Sequence, residues 1–305
     1  MKQINLLLIA AVLLSVQMTS CGWSESKQVV SEVIPDDSAQ LRLAVMPTLD
    51  CLPIYVAEEW GFFDREGIDV SLFPYQAQMD CDTAIERGRV NAMVTDLVRT
   101  EVLRKRGFDL HEVTSTELSW QLLTGKQTRI KQLKQLDDKM MAMTRFSATH
   151  LLSDMLVDSV KLQPERVFRI QVNDLRVRQS MLEANIMDAL LMPEPWATAA
   201  RNHQATLLFD THEKDMRLGV IVFNNRAATT KQLNAFRKAY NTACDTINDE
   251  GLKSFKALIC KRCGISEQTF DSLPDMKFAH AELPRPSDKA HVEKWLEGQD
   301  YLKNE

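Results

Sequence analysis

The sequence predicts an α/β protein of two similar lobes joined by a hinge, with a ligand cleft between them, and three observations carry that prediction. Residues 41–70, LRLAVMPTLDCLPIYVAEEWGFFDREGIDV, read as strand, polar loop, helix, glycine stop and second strand, the opening of a parallel sheet. A helix, tight turn and strand occur at residues 82–96 and again, with the same grammar, at residues 179–193. An apolar segment at residues 218–223 lies beyond the second repeat and returns the chain to the first lobe, so the lobes are crossed twice.

Taken in order, Lys2, an apolar run from Ile4 to Val16 and then Met18-Thr19-Ser20-Cys21 form a lipoprotein signal over residues 1–20, with lipidation at Cys21. The run ends at Gln17, Thr19 and Ser20, short of the roughly 20 apolar residues a transmembrane helix needs. Residues 21–40 are polar, with Pro35, Asp36 and Asp37, and read as a flexible tether. The 265 residues that follow suffice for two small lobes.

Strands are expected near 41–46, 69–73 and 90–94 in lobe one, with a crossover strand at 120–124. Lobe two takes strands at 139–143, 168–172 and 189–192 and helices at 149–161 and 174–183. The return strand is 218–223, and a helix over 230–248 begins a C-terminal part that packs back on lobe one. The lobes are therefore expected at 41–124 plus 205–305, and at 125–204. Asn185 stands where Gly88 stands in the first repeat, which suits a turn at positive φ. Trp60, Phe62 and Phe63 at a helix end, and Met140, Met141 and Met143 on a strand, read as core, while Arg99, Arg104, Lys105 and Arg106 read as a solvated helix face.

A formal charge of -5 and a pI near 5.8 offer no basic stripe for nucleic acid. Five cysteines remain beyond Cys21, and in an exported chain pairing is the default. Cys51 follows the first strand and Cys81 the second, so a Cys51–Cys81 disulfide is expected at one sheet edge. Cys244 is expected near Cys260 or Cys263, and the CxxC spacing of the latter two has no second ligand pair that would make a zinc site. No metal or cofactor is expected.

Open α/β sheets bind ligands at the carboxyl ends of their strands. Thr48 and Asp50 follow the first strand, Gln78 and Asp80 the second, and Thr95 and Asp96 the third. Asp174 follows a lobe-two strand, and each of these Asp residues reads either as an N-cap or as a ligand group. Ser147 and Thr149 cap the helix that follows, or hold a ligand oxygen at its N-terminus with Arg145 nearby. Four acidic groups around one cleft repel a free anion and favour a neutral or cationic heterocycle. In Pro193-Glu194-Pro195-Trp196, Pro195 and Glu194 suit a helix start, and Trp196 offers a plane for stacking.

At these residues the chain resembles the periplasmic solute-binding proteins of ABC importers for nitrate, sulfonates, taurine and thiamine-precursor pyrimidines. The blocks that carry the likeness are residues 41–70, Arg87-Gly88-Arg89-Val90-Asn91-Ala92, Leu133-Lys134-Gln135-Leu136-Asp137-Asp138-Lys139-Met140, and residues 187–196. Together they span about residues 41–223, with Asp138 standing where the family has a glycine. The resemblance implies the type II periplasmic-binding-protein fold, a cleft lined by the Pro193–Trp196 segment, and a monomeric lipoprotein on the periplasmic side. It would hand a small organic nitrogen or sulfur compound to a membrane permease and its ATPase, which could dock on the basic helix face. A sensing lipoprotein without transport shares the same cleft. So does a relative of the fungal pyrimidine-precursor synthase, but His111, His150, His203 and His212 form no metal spacing, and no nucleophile elbow or glycine-rich phosphate loop is present.

Overall fold

Residues 39–299 are described in the computed structural model; the signal segment, Cys21 and all but the end of the tether lie outside the described residues. The chain begins with β1 (Leu41–Val45), α1 (Leu52–Glu59), β2 (Val70–Pro74), α2 (Gln78–Glu86), β3 (Ala92–Asp96), α3 (Leu97–Lys105) and β4 (Leu110–Ser115). The second lobe follows as β5 (Trp120–Thr124), β6 (Lys139–Met143), α4 (Ala148–Ser159), β7 (Val167–Gln171), α5 (Leu175–Glu183), β8 (Ala189–Pro193), α6 (Trp196–Asn202) and β9 (Thr206–Asp210). β10 (Gly219–Asn224), α7 (Thr230–Glu250), α8 (Lys256–Cys263) and α9 (Pro286–Glu297) complete the first.

The two sheets have one plan. Strand order is β2-β1-β3-β10-β4 in the first and β7-β6-β8-β5-β9 in the second. In each, three parallel strands are extended by an antiparallel one, with Gly219 opposite Asp96 in the first and Trp120 opposite Pro193 in the second. Every residue of β3, β5 and β8 is buried, as expected of strands covered on both faces, and this is why they read as apolar runs. The repeat is also borne out at its turns, where Gly88 has φ 64° and Asn185 φ 57°. Asp138 likewise takes φ 60°.

The expected lobe boundaries need correction. Strand 120–124 forms as expected, but it pairs with β8 and β9 and so belongs to lobe two. β9 also lies there, which moves the crossings from 124/125 and 204/205 to residues 116–119 and 211–218. A strand buried on both faces needs a neighbour on each side, and β8 supplies one only in the second sheet. β4 and β9 escaped the sequence reading because each is an edge strand with mixed burial and weak alternation.

The Cys51–Cys81 bridge is also overturned, since both are buried free thiols, as is Cys244; Cys263 is buried and free, and Cys260 partly so. The topology explains it. The chain runs outward from β1 to β2 and then back past β1 to β3, and right-handed crossovers in opposite directions put their helices on opposite faces. α1 accordingly packs on α7, and α2 on β1 and β3, leaving the two thiols separated by the sheet. Cys51 Sγ instead lies 3.6 Å from Thr48 Oγ1.

Three core or surface expectations change as well. Trp60 caps the end of α1 at 38% exposure, leaning on Phe255, while Phe62 and Phe63 are buried as expected. Met140 is 37% exposed at the open end of β6, whereas Met141 and Met143 are core. Arg99 is buried in an ion pair with Asp82, because it lies on the face of α3 turned toward lobe two.

The crossings press on one glycine. A Cβ at Gly219 would fall 2.3 Å from Thr116 Oγ1 and 2.4 Å from Leu118 Cβ, both on residues of the first crossing. Gly219→Ala is expected to cost about 1–3 kcal/mol by overpacking, lowering the thermal midpoint by roughly 2–4 °C per kcal/mol. Circular dichroism melts read this directly, and an unchanged midpoint would show that the crossing yields to the extra methyl.

Candidate functional site: the cleft between the lobes

Each sheet reverses its winding between its first and third parallel strands, and the crevices outside those strand ends face one another. Between them lies a small cavity of about 50 Å³, room for a few waters in this arrangement of the lobes. Thr48, Asp50, Gln78, Thr95 and Asp96 line it from lobe one, and Ser147 and Thr149 from lobe two, all seven expected from sequence. Thr144, Asn173 and Arg178 add polar atoms, and Met46, Leu118, Trp120, Leu175 and Pro193 supply apolar wall.

Asp50 sits where the chain turns from β1 into α1, 2% exposed. Its Oδ2 accepts from Thr116 Oγ1 at 2.9 Å, while Oδ1 has no hydrogen-bond partner among the described residues. Burial pushes its pKa up, against the pull of the Thr48 and Thr116 hydroxyls and its own N–H. Thr95 Oγ1, 1% exposed, is also without a partner there. Gln78 Nε2 donates to the Val94 carbonyl at 3.2 Å.

Asp96 is the N-cap of α3, its Oδ1 accepting from Arg99 N at 2.9 Å. Ala148 N–H, at the first residue of α4, also pulls its pKa down, so a lobe-one carboxylate faces a lobe-two helix N-terminus. Burial nevertheless pushes its pKa up to about 7.

Ser147 and Thr149 lie at the start of α4 and line the cavity. Ser147 Oγ accepts from Thr149 N at 3.1 Å and donates to the Thr144 carbonyl at 2.8 Å; Thr149 Oγ1 accepts from Thr144 N at 2.9 Å. Both hydroxyls shape the cavity wall, and Ser147 caps α4.

Arg178 was missed. It is 2% exposed, donating through Nε to the Val172 carbonyl, through Nη1 to the Leu191 carbonyl, each at 2.7 Å, and through Nη2 to Thr144 Oγ1 at 2.5 Å. Burial lowers its pKa to about 10, so it stays charged at neutral pH, and no carboxylate pairs with it among the described residues. The signal was present: Leu175, Arg178 and Leu182 share the buried stripe of α5 at helical spacing, and a cation on such a stripe marks a site.

Five expected residues lie elsewhere. Asp80 is exposed on α2. Asp174 caps α5 by accepting from Arg176 N and Val177 N. Arg145 lines a separate groove beside Asp82 and Arg99, its carbonyl accepting from Arg99 Nη1 at 3.3 Å. Glu194 Oε2 accepts from Thr198 N, and Oε1 from Gln121 Nε2 and Arg201 Nη2, at 2.8–3.0 Å. Trp196 is not a stacking plane in the cavity: it is buried, and Nε1 donates to the Pro47 carbonyl at 2.8 Å. With Leu49 N donating to the Glu194 carbonyl at 3.0 Å, this segment stitches the lobes together. Among the described residues no group of three His, Cys, Asp or Glu is placed to hold a metal ion.

The family model described as NMT1/THI5 like matches residues 48–250. No curated protein matches the sequence. Among solved structures, the alkanesulfonate-binding protein SsuA of Xanthomonas axonopodis pv. citri, bound to MOPS, is similar at TM-score 0.71 and 15% identity, covering 88% of this chain and 94% of that one. The aliphatic sulphonate binding protein SsuA of Escherichia coli gives TM-score 0.69 and 14% identity over 85% and 87%. The nitrate-binding protein NrtA of Synechocystis PCC 6803 gives 0.67 and 13% over 88% and 90%. The fold is that of the periplasmic binding proteins, two sheets flanking a cleft, and with the match running from the loop after β1 to the end of α7, over more than half of its length, the chain belongs to the NMT1/THI5-like family.

Proposed function

We propose that this chain is the substrate-binding component of an ABC importer, anchored by lipid at Cys21 on the periplasmic side, where it captures a small organic nitrogen or sulfur compound for a permease and its ATPase. The observation that carries the reading is the interlobe cavity, to which both lobes contribute buried polar groups at the carboxyl ends of their strands. The sulfonate- and nitrate-binding titles of the structural neighbours support the same role. The chain binds and releases its solute without chemistry, in keeping with the binding-protein titles of those neighbours. It acts as a monomer, and ligand selects the closed arrangement of the lobes.

A thermal-shift screen against pyrimidines, thiamine precursors, sulfonates, nitrate, riboflavin and amines tests the proposal. A ligand at 100 times its dissociation constant stabilises by about 2.7 kcal/mol, which moves the midpoint of a chain this size by several degrees. A hit confirmed by calorimetry supports capture. Absence of any shift, with unchanged small-angle scattering, argues against it.

A further inference from the structure

Asp50 and Arg178, buried ionisable groups of opposite sign, line the cavity from opposite lobes beside Asp96, and neither has a protein counter-charge among the described residues. Asp50 contributes an oxygen without a partner, beside the equally unpartnered Thr95 hydroxyl. Arg178 spends one N–H on each of three oxygens, leaving a second N–H on each Nη nitrogen. A simple anion would satisfy Arg178 and leave Asp50 uncompensated, and a simple cation would do the reverse. The natural anion seat, the N-terminus of α4, already shares the cavity with the Asp96 carboxylate.

Resting on the solute-binding reading, we propose that the cleft selects dipolar solutes. A nitrogen bearing N–H, as an ammonium or an amino group on a heterocycle, donates to Asp50 Oδ1 and Thr95 Oγ1, and an acceptor at the other end takes the free N–H groups of Arg178. Free anions are rejected, because they bring nothing to Asp50 and meet Asp96 at the helix end.

The test is calorimetry on the purified protein with two matched pairs, 2-aminoethanesulfonate against ethanesulfonate and 4-aminopyrimidine against pyrimidine, with nitrate beside them. The expected result is binding by at least one amino-bearing member and at least tenfold weaker binding by its partner and by nitrate. Asp50→Asn should weaken the amino-bearing probe by 10-fold or more, the loss typical of a charge-assisted hydrogen bond, while the exposed Asp80→Asn leaves it unchanged. Ethanesulfonate or nitrate binding as tightly as the amino-bearing probes overturns the selection and leaves the solute-binding reading intact. Equal affinity in Asp50→Asn overturns the donor end. Failure of all five probes overturns the dipolar class, and the broader screen above then decides separately whether solute binding falls with it.

Discussion

Replacing Arg178 with methionine is expected to lower the thermal midpoint by roughly 6–12 °C, on a loss of about 3 kcal/mol at 2–4 °C per kcal/mol. The side chain is the fixed point of lobe two, tying β7's end, β8 and the loop after β6 through Val172, Leu191 and Thr144. Methionine fills much of the volume but leaves two buried carbonyls and a hydroxyl without their donor, at about 1–3 kcal/mol each. Removing a desolvated cation offsets part of that cost, so the net lies below the sum. Arg178→Lys keeps the charge but cannot serve three diverging acceptors, and should fall between methionine and wild type. Melts of the three proteins decide the matter; a methionine variant as stable as wild type would mean that the carbonyls find other donors. Binding measured well below the midpoint separates the second role, since the methionine variant should lose affinity even where it is fully folded.

Much of the fold was legible because its central strands are continuous apolar runs and its turns carry Gly88 or Asn185 where φ is positive. The edge strands β4 and β9 were not, since one-sided pairing leaves no sharp pattern. The site divides in the same way. Residues directly after strands, such as Thr48, Asp50, Thr95, Asp96 and Ser147, follow from the rule that ligands sit at strand ends. Arg178 reaches the cavity from the second turn of a helix, and Trp196 leaves it because its indole finds the Pro47 carbonyl across the lobes. Such side-chain choices depend on lobe closure, a long-range contact that strand grammar does not encode. The cysteine pairing failed for a related reason: neighbouring strands share an edge, but the helices that carried these two thiols lie on opposite faces.

Asp96→Asn is expected to flatten the pH dependence of stability and to make the protein more stable than wild type above pH 7. The native pKa of Asp96 is pushed up to about 7 from 3.8 by burial, so between those values the folded chain holds a proton that the unfolded chain has lost. Its contribution is therefore complete below about pH 4 and is lost as pH rises through 7. At 1.36 kcal/mol per unit, the roughly three units amount to the order of 4 kcal/mol. Asparagine still offers an oxygen to Arg99 N, so the cap on α3 survives, but it cannot ionise. Asp50, whose pKa is raised in the same direction, keeps part of the slope in the variant. Urea unfolding at pH 5, 6, 7 and 8 measures both curves, and parallel curves would sink the assignment. Because Asp96 lines the cleft and burial penalises its charge, ionisation favours an opened cleft that rehydrates it: scattering of the wild type should show a larger radius at pH 8 than at pH 5, with little change in Asp96→Asn.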